Sequence, residues 1–578
     1  MCGIVGYVSA EEKLQLSEFM QMIKSLDYRG YDSWGVSHLT NKINIIKDVG
    51  KITNTDLPGE SNLILGHTRW ATHGGVTKEN AHPHLSNDEN ISLVHNGIIE
   101  NYQELKSQLA GFRFKGQTDT EVLTNYIQSK LNGNTLESFE QVLSELKGTY
   151  AIGFLKKGEK RIYFARKSSP LVLGVGQNEN FLSSDVTSFF ERTKTVIYLE
   201  DGDYGYIDDS EIKIFNSGKE VERKKSTITW DIDKAKKGEF EHFMLKEISE
   251  QVDVVKQVLI QDKENIQSIV NDLKTKKVFM VACGTSYNAA IAAEYEFLKQ
   301  GIMPKVIRAH EFKSYSSFVD KDSIVLAISQ SGETIDLIDA LKSVKEVGSE
   351  IISIVNVQGS TLDRMSDKRI YMNVGPEICV LSTKSYTASV SILMLLAGCL
   401  NDNYENVKEE LNEINRHIYY LTSENSRKYT KDLSHLLRYT KHLFTIGRRR
   451  DYPTAMEAAL KIKEVSYIHA EGFAGGQIKH GPIAMIENGT PCIVFVPNED
   501  NGEILSNAQE LKSRGAFIIG VSDTEHDVFD FWIKVWGPDK FSPILRTIPI
   551  QILAYYLAVL KGLDPDKPRN LAKSVTVK

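Results

Sequence analysis

Along the first third of the chain, short apolar runs alternate with polar clusters. The runs Gly3-Ile4-Val5-Gly6-Tyr7-Val8, Leu63-Ile64-Leu65-Gly66 and Ile91-Ser92-Leu93-Val94 predict β-strands. Two stretches, 101–109 and 119–130, carry a helical pattern. The second opens on Thr118-Asp119-Thr120-Glu121, which supplies a capping hydroxyl and acids in the first turn. From about residue 241 the pattern changes. Solid apolar β runs alternate with amphipathic helices, as in parallel sheets covered on both faces.

This second region reads as one α/β unit written twice. The first copy has Val278-Phe279-Met280-Val281-Ala282 followed by Cys283-Gly284-Thr285-Ser286 and a helix from Asn288. Its next strand, Ile324-Val325-Leu326-Ala327-Ile328, runs into Ser329-Gln330-Ser331-Gly332-Glu333-Thr334. The second copy has Leu443-Phe444-Thr445-Ile446-Gly447, a helix from Pro453, and Cys492-Ile493-Val494-Phe495-Val496 running into Pro497-Asn498-Glu499-Asp500. A helical stretch, 403–438, joins them. The expected division is 1–225, a charged linker 226–240, the copies at 241–402 and 403–565, and a tail 566–578. A chain of 578 residues has room for about three or four domains.

Composition narrows the function. The net charge of −7 gives no basic footprint for nucleic acid. Five scattered cysteines suit a reducing compartment, not a disulfide framework. No basic-then-apolar leader precedes Cys2, and the longest apolar run, near 390–400, is too short for a bilayer of ~30 Å. A cytoplasmic protein with no membrane or nucleic-acid partner is expected.

The chemistry starts at Cys2. If Met1 is trimmed, one residue carries a thiol and a free α-amine, a nucleophile beside a base. Three polar clusters complement it: His67-Thr68-Arg69-Trp70-Ala71-Thr72-His73-Gly74, His95-Asn96-Gly97, and Thr118-Asp119-Thr120-Glu121. Each is expected as a loop closing an apolar run. Arg69 can grip a carboxylate in two parallel hydrogen bonds, and Asp119 can hold an ammonium. The Asn96 amide and the Gly97 N–H can donate to an oxyanion. Seen alone, Asn-Gly reads first as a hairpin turn. The histidines carry no companion Cys or carboxylate set of zinc type, so no metal is expected.

In the repeat, hydroxyls and N–H groups of Ser329 to Thr334 stand at a strand-to-helix turn, a ready anion site. The second copy has two acids there, so one phosphate pocket is expected, in the first copy. Glu457, Lys461 and Glu464 fall on one helical face, either as a catalytic set or as a solvated ion-pair stripe. A glycine-rich loop, 469–482, carries His480.

These motifs resemble known families. Met1-Cys2-Gly3-Ile4-Val5-Gly6 and the three clusters resemble the class II glutamine amidotransferases, N-terminal-nucleophile hydrolases with an αββα sandwich. The resemblance implies that Cys2 attacks the glutamine side-chain amide and that Asn96 and Gly97 form the oxyanion hole. It implies that Arg69, Thr72, His73 and Asp119 bind glutamine and that Trp70 gates an ammonia path. The two copies are similar to sugar isomerase (SIS) domains, doubly wound and phosphosugar-binding. That likeness implies a sugar-phosphate site of Thr285, Ser286, Ser329, Gln330, Ser331, Thr334, Val380 and Ser382.

Over essentially its whole length the chain resembles the isomerising glutamine–fructose-6-phosphate aminotransferases. The stretches 461–471 and Leu571-Ala572-Lys573-Ser574-Val575-Thr576-Val577 carry that likeness most specifically. It implies a Lys573 Schiff base, Glu464 as the proton carrier, and ring opening by His480 from a neighbouring subunit of a homodimer. Glu457, Lys461, Arg569 and Ala572 would support the sugar site. Substrates would be L-glutamine and fructose 6-phosphate, with no cofactor, at the opening of amino-sugar biosynthesis toward UDP-N-acetylglucosamine. Departures are Gln477 where many members have Glu, Cys379 for Gly, and Lys578 for a final Glu. Other amidotransferases would need a Ser-Gly-Gly pyrophosphate loop or paired acids in a ribose-phosphate loop, and neither is found. A phosphosugar sensor would have no need of Cys2, Glu464 or Lys573.

Overall fold

A computed structural model describes residues 2–228, 237–401 and 403–575. Met1, most of the expected linker and the end of the tail lie outside the described residues. Contacts divide the chain into two compact units, one N-terminal with the residues from Ala572 onward, one spanning Asp233–Leu571.

The N-terminal unit is built on strands whose two faces are both buried. In Gly3–Ser9, Ile4 and Val8 enter one apolar cluster while Val5 and Tyr7 enter another. Period-2 alternation therefore serves two cores at once. This strand lies inside an eight-stranded sheet, between Leu63–Arg69 and Glu179–Ser183, antiparallel to both. A seven-stranded sheet faces it, with Ile91–Ile99 beside Gly148–Lys156. Side chains of both sheets meet in one core, including Ile4, Leu65, Val94, Leu155, Phe164 and Leu182. The helix Leu16–Lys24 packs Phe19, Met20 and Ile23 on the outer face of the first sheet. Asp119–Lys130 and Thr135–Glu145 pack Tyr126, Ile127 and Phe139 on the outer face of the second. The layers are αββα, as expected. The predicted cap is in place: the Thr118 hydroxyl accepts from the Glu121 N–H at 3.1 Å.

The second unit holds two five-stranded parallel sheets. The first runs Lys305–Arg308, Lys277–Ala282, Ser323–Ser329, Glu350–Val355, Lys368–Tyr371. The second runs His469–Ala474, His442–Gly447, Pro491–Phe495, Phe517–Ser522, Phe531–Lys534. Each has the order 2-1-3-4-5 in its own copy, so the repeat is one topology used twice. The order reverses between strands 1 and 3, and a ligand crevice belongs outside the carboxyl ends of those strands.

Three expectations change. Asn96-Gly97 lies inside the strand Ile91–Ile99, not in a hairpin turn or loop, and Arg69 likewise ends a strand. Gly97 has φ +121°, and a Cβ there would sit 2.1 Å from the Thr149 carbonyl oxygen of the neighbouring strand, so only glycine fits. The start of the expected glycine-rich loop is the edge strand His469–Ala474, followed by the short helical turn Gln477–Lys479. The most apolar long helical stretch is Asp539–Leu560, not the run near 390–400. It is long and apolar enough to cross a membrane, but 83% of its most apolar 18 residues are buried inside the protein, as for a core helix.

Candidate active site

In the N-terminal unit Cys2 sits where three strands converge. Its sulfur accepts the Trp70 N–H at 3.2 Å, and its carbonyl accepts from the Asn96 amide at 3.1 Å and from Arg29 at 3.3 Å. Burial pushes the Cys2 thiol above its ordinary value, an effect opposed by the Trp70 N–H and the Arg69 charge. A pocket opens beside it, lined by Cys2, Arg69, Trp70, Thr72, His73, His82, His95, Gly97, Thr118, Asp119 and Thr120. Every glutamine-site residue expected from the sequence lines it except Asn96, which is 5% exposed and lies behind Cys2.

The loop after Arg69 is held from two sides. Arg69 donates to the carbonyls of His73, Gly74 and Gly75, and the Asp32 carboxylate accepts the Ala71 N–H at 2.8 Å. Asp119 is 3% exposed; its Oδ2 accepts the Ile99 N–H at 2.9 Å and lies 4.0 Å from His95 Nδ1. His67, His82, His84 and His95 are all buried, and burial lowers their basicity, His67 to about 3. Burial thus favours the neutral imidazole in each. Among the described residues no His, Cys, Asp and Glu groups gather as a metal site. Asp32, Arg29 and Ser184 were not anticipated. No motif spacing marks them: Arg29 reaches the Cys2 carbonyl, Asp32 the loop at Ala71 and Ser184 the Asn96 amide, each from a distant part of the chain.

The second unit gathers a different set. The helix Asp451–Ser466 buries Glu457 and Lys461 completely. Lys461 lies 3.4 Å from Glu457 and 2.8 Å from Glu464. Thr285, in the first turn of Gly284–Lys299, accepts from Lys461 at 3.0 Å and donates to Glu457 at 3.1 Å. Lys461 also donates to the Ser382 carbonyl at 3.3 Å, and Asn288, which the sequence reading missed, donates to Glu457 at 2.8 Å. The charged face is thus no solvated stripe: it ties the two copies together. Burial raises the Glu457 carboxyl. Burial alone would lower Lys461, but the two carboxylates outweigh it and hold the ammonium above its ordinary range.

The expected anion loop has the geometry of a cradle. Ser329 Oγ accepts the Gly332 N–H at 3.1 Å and lies 3.4 Å from Thr334 Oγ1, while Ser331 Oγ accepts the Glu333 N–H at 3.2 Å. Gly332 has φ +66°, and a Cβ there would meet Ser360 Oγ at 2.1 Å. Glu333 turns away and accepts the Thr361 N–H at 2.8 Å, so no carboxylate guards this loop from within. Gln330 and Ser286 are half-buried at the same end of the sheet, and Val380 is nearly closed off, its N–H held by the Asp566 carbonyl at 3.1 Å.

The matching loop of the second copy is already engaged. The N–H groups of Asn498 and Glu499 donate to the Asp539 carboxylate at 3.0 and 3.2 Å, and Asp539 pairs with buried Arg546 at 2.7 Å. Of the expected tail residues, Arg569 is in this unit, its N–H on the Tyr467 hydroxyl at 2.6 Å and its guanidinium over that ring. Ala572 and Lys573 group with the N-terminal unit. His480 is exposed, just past its short helical turn. Of the arginine triplet, Arg448 pairs with Glu503, Arg449 with Asp500 and Arg450 with Glu296.

Comparison with known proteins agrees with this division of chemistry. Residues 1–251 match the glutamine amidotransferase domain family, and 273–398 and 436–560 each match the SIS domain family. A glutamine–fructose-6-phosphate aminotransferase (isomerizing) of Pyrococcus horikoshii is 41% identical over 604 aligned positions, covering 100% of both chains. The chain belongs to the isomerising glutamine–fructose-6-phosphate aminotransferases. The protein is therefore an enzyme. Another aminotransferase of this name, from Thermococcus kodakarensis, is 40% identical, again over 100% of both chains. Among solved structures, the C-terminal domain of the glucosamine-fructose-6-phosphate aminotransferase of Francisella tularensis is 32% identical. It covers 58% of this chain and 100% of its own length at a TM-score of 0.53. The aminotransferase family thus accounts for both the buried-thiol pocket and the paired parallel sheets.

Proposed function

We propose that the enzyme makes glucosamine 6-phosphate and glutamate from fructose 6-phosphate and L-glutamine. The observation that carries this reading is the coexistence in one chain of a Cys2 pocket able to hold an amino-acid amide and a repeat with one anion cradle. Cys2 attacks the glutamine amide carbon, Asn96 and Gly97 receive the oxyanion, and ammonia leaves; water then cleaves the glutamyl thioester, releasing glutamate and restoring the thiol. Arg69 and Asp119 hold the α-carboxylate and α-ammonium, with Thr72 and His73 beside them. Trp70, whose N–H touches the Cys2 sulfur, stands at the gate through which ammonia departs.

At the sugar site, Thr285, Ser286, Ser329, Gln330, Ser331 and Thr334 take the phosphate, with Val380 and Ser382 lining the same pocket. Lys573 condenses with the C2 ketone of the open-chain sugar, releasing water. Ammonia then displaces the lysine amine at C2. Glu464 takes a proton from C1 of the C2 imine and returns one to C2 of the resulting enaminol, so that a ketose imine becomes an aldose amine with no net oxidation. Lys461 and Glu457 fix the position of Glu464, and Arg569 and Ala572 complete the tail. His480, exposed on its loop, assists ring opening across a homodimer interface. The enzyme works in the cytoplasm.

Purified protein incubated with both substrates should yield glucosamine 6-phosphate and glutamate in equal amounts. Cys2→Ala should abolish glutamine hydrolysis yet still interconvert the phosphosugars; loss of both in a folded variant would contradict the assignment. Borohydride with fructose 6-phosphate should tag Lys573, and a tag elsewhere removes the Schiff-base role.

A further inference from the structure

Asn96 is useful to an oxyanion only while its amide N–H, not its oxygen, faces Cys2. The Asn96 side chain donates from Nδ2 to the Cys2 carbonyl at 3.1 Å and to Ser184 Oγ at 2.8 Å. Behind it stands His67, fully buried in the strand Leu63–Arg69 of the opposite sheet. One ring nitrogen, Nε2, approaches two oxygens: Asn96 Oδ1 at 2.9 Å and the His95 carbonyl at 3.1 Å. Both oxygens only accept, so Nε2 carries the proton and donates to both. The other nitrogen, Nδ1, is buried without a partner, which fits the unprotonated nitrogen of a neutral ring. Burial against His82, whose ring centroid lies 4.3 Å away, keeps the ring uncharged.

The consequence is directional. Rotating the Asn96 amide by half a turn would set N–H against the His67 N–H and oxygen against the Cys2 carbonyl. Each is a like-with-like clash in a dry site, where an unmade hydrogen bond costs about 1–3 kcal/mol. We infer that His67 is a positioning residue for glutamine hydrolysis: its Nε2–H locks the Asn96 amide with the donor toward Cys2. The inference rests on the reading of Asn96 as an oxyanion donor. His67 itself does not line the pocket; it stands behind His82 and His95, which do.

A double-mutant cycle on the full-length enzyme tests this, with glutamine hydrolysis as the readout and phosphosugar interconversion as the control for the other unit. Asn96→Ala should lower kcat by roughly 100- to 1000-fold, the usual loss for one such donor. His67→Asn, too short to reach the amide, should lower kcat at least about 10-fold with KM changed less than about threefold, as for an interaction made in the transition state. His67→Gln, whose longer amide can donate to the same oxygens, should recover most of that loss. In the Asn96→Ala background, His67→Asn should cost less than about twofold more, because coupled groups are not additive. Equal losses in both backgrounds, or a loss confined to KM, would overturn the positioning role while leaving Asn96 in place. Full kcat in Asn96→Ala alone would instead remove the oxyanion reading, and this inference with it.

Discussion

At the scale of single residues, the charge network of the second unit has the most at stake. Lys461 and Glu457 are both 0% exposed, so each depends on the other for charge balance. Removing one partner of such a pair typically costs about 3–5 kcal/mol, because the other is left buried and uncompensated. Lys461→Met should therefore destabilise the C-terminal unit by that amount in denaturant melts. Adding Glu457→Gln to it should restore part of the loss, since the stranded charge is then gone. The buried imidazoles of the other unit make a pH prediction. His67, His82, His84 and His95 all bind protons less readily folded than free. Their stabilising effect is complete above the unfolded value of about 6.5 and is lost as pH falls toward the folded values. Each adds a slope of about 1.4 kcal/mol per pH unit below that point. Hydrogen exchange of the N-terminal unit's central strands should accelerate between pH 6.5 and about 5, and His82→Phe should flatten the response.

At the scale of elements, glycine decides two approaches. Gly97→Ala would drive a methyl group into the Thr149 carbonyl at a φ that disfavours alanine. It should separate the strands Ile91–Ile99 and Gly148–Lys156, abolish glutamine hydrolysis and lower the melting temperature of the N-terminal unit. Nearly normal melting with full activity would show that the strand gives way more easily than the distances imply. Gly97 also shows what the sequence could not disclose. Asn-Gly reads as a turn because nothing local reveals Gly148–Lys156, the partner strand that pairs with it from about fifty residues away. The helix Asp119–Lys130 was legible to the residue, because its cap and first-turn acids are local signals. The strand His469–Ala474 was hidden for the opposite reason. It is a short edge strand in which three of six residues are glycine or alanine, and its pairing with His442–Gly447 supplies the order that its composition lacks. Asn288 and Ser184 were invisible as site residues, being neutral side chains whose only mark is the partner they reach.

At the scale of the whole molecule, duplication has produced two sheets of one topology with opposite contents. The first copy lines its loop with serine and threonine hydroxyls, two of which accept the loop's own N–H groups; the second gives the corresponding N–H groups to a built-in carboxylate, Asp539. Titration calorimetry with fructose 6-phosphate should therefore give one site per chain. Two sites of comparable affinity would mean that Asp539 yields its place. Binding should also raise the stability of the C-terminal unit by about 2.7 kcal/mol at a hundredfold excess over Kd, as any ligand selective for the folded state does.

Arg546 gives that internal anion a further effect. It grips Asp539 on one side and, at 2.6 Å, Asp451 on the other, the first residue of the helix that carries Glu457, Lys461 and Glu464. A carboxylate belonging to the protein never dissociates. The helix is thus moored to a permanent tenant, and its charged face keeps one posture whether the metabolite supply is rich or poor.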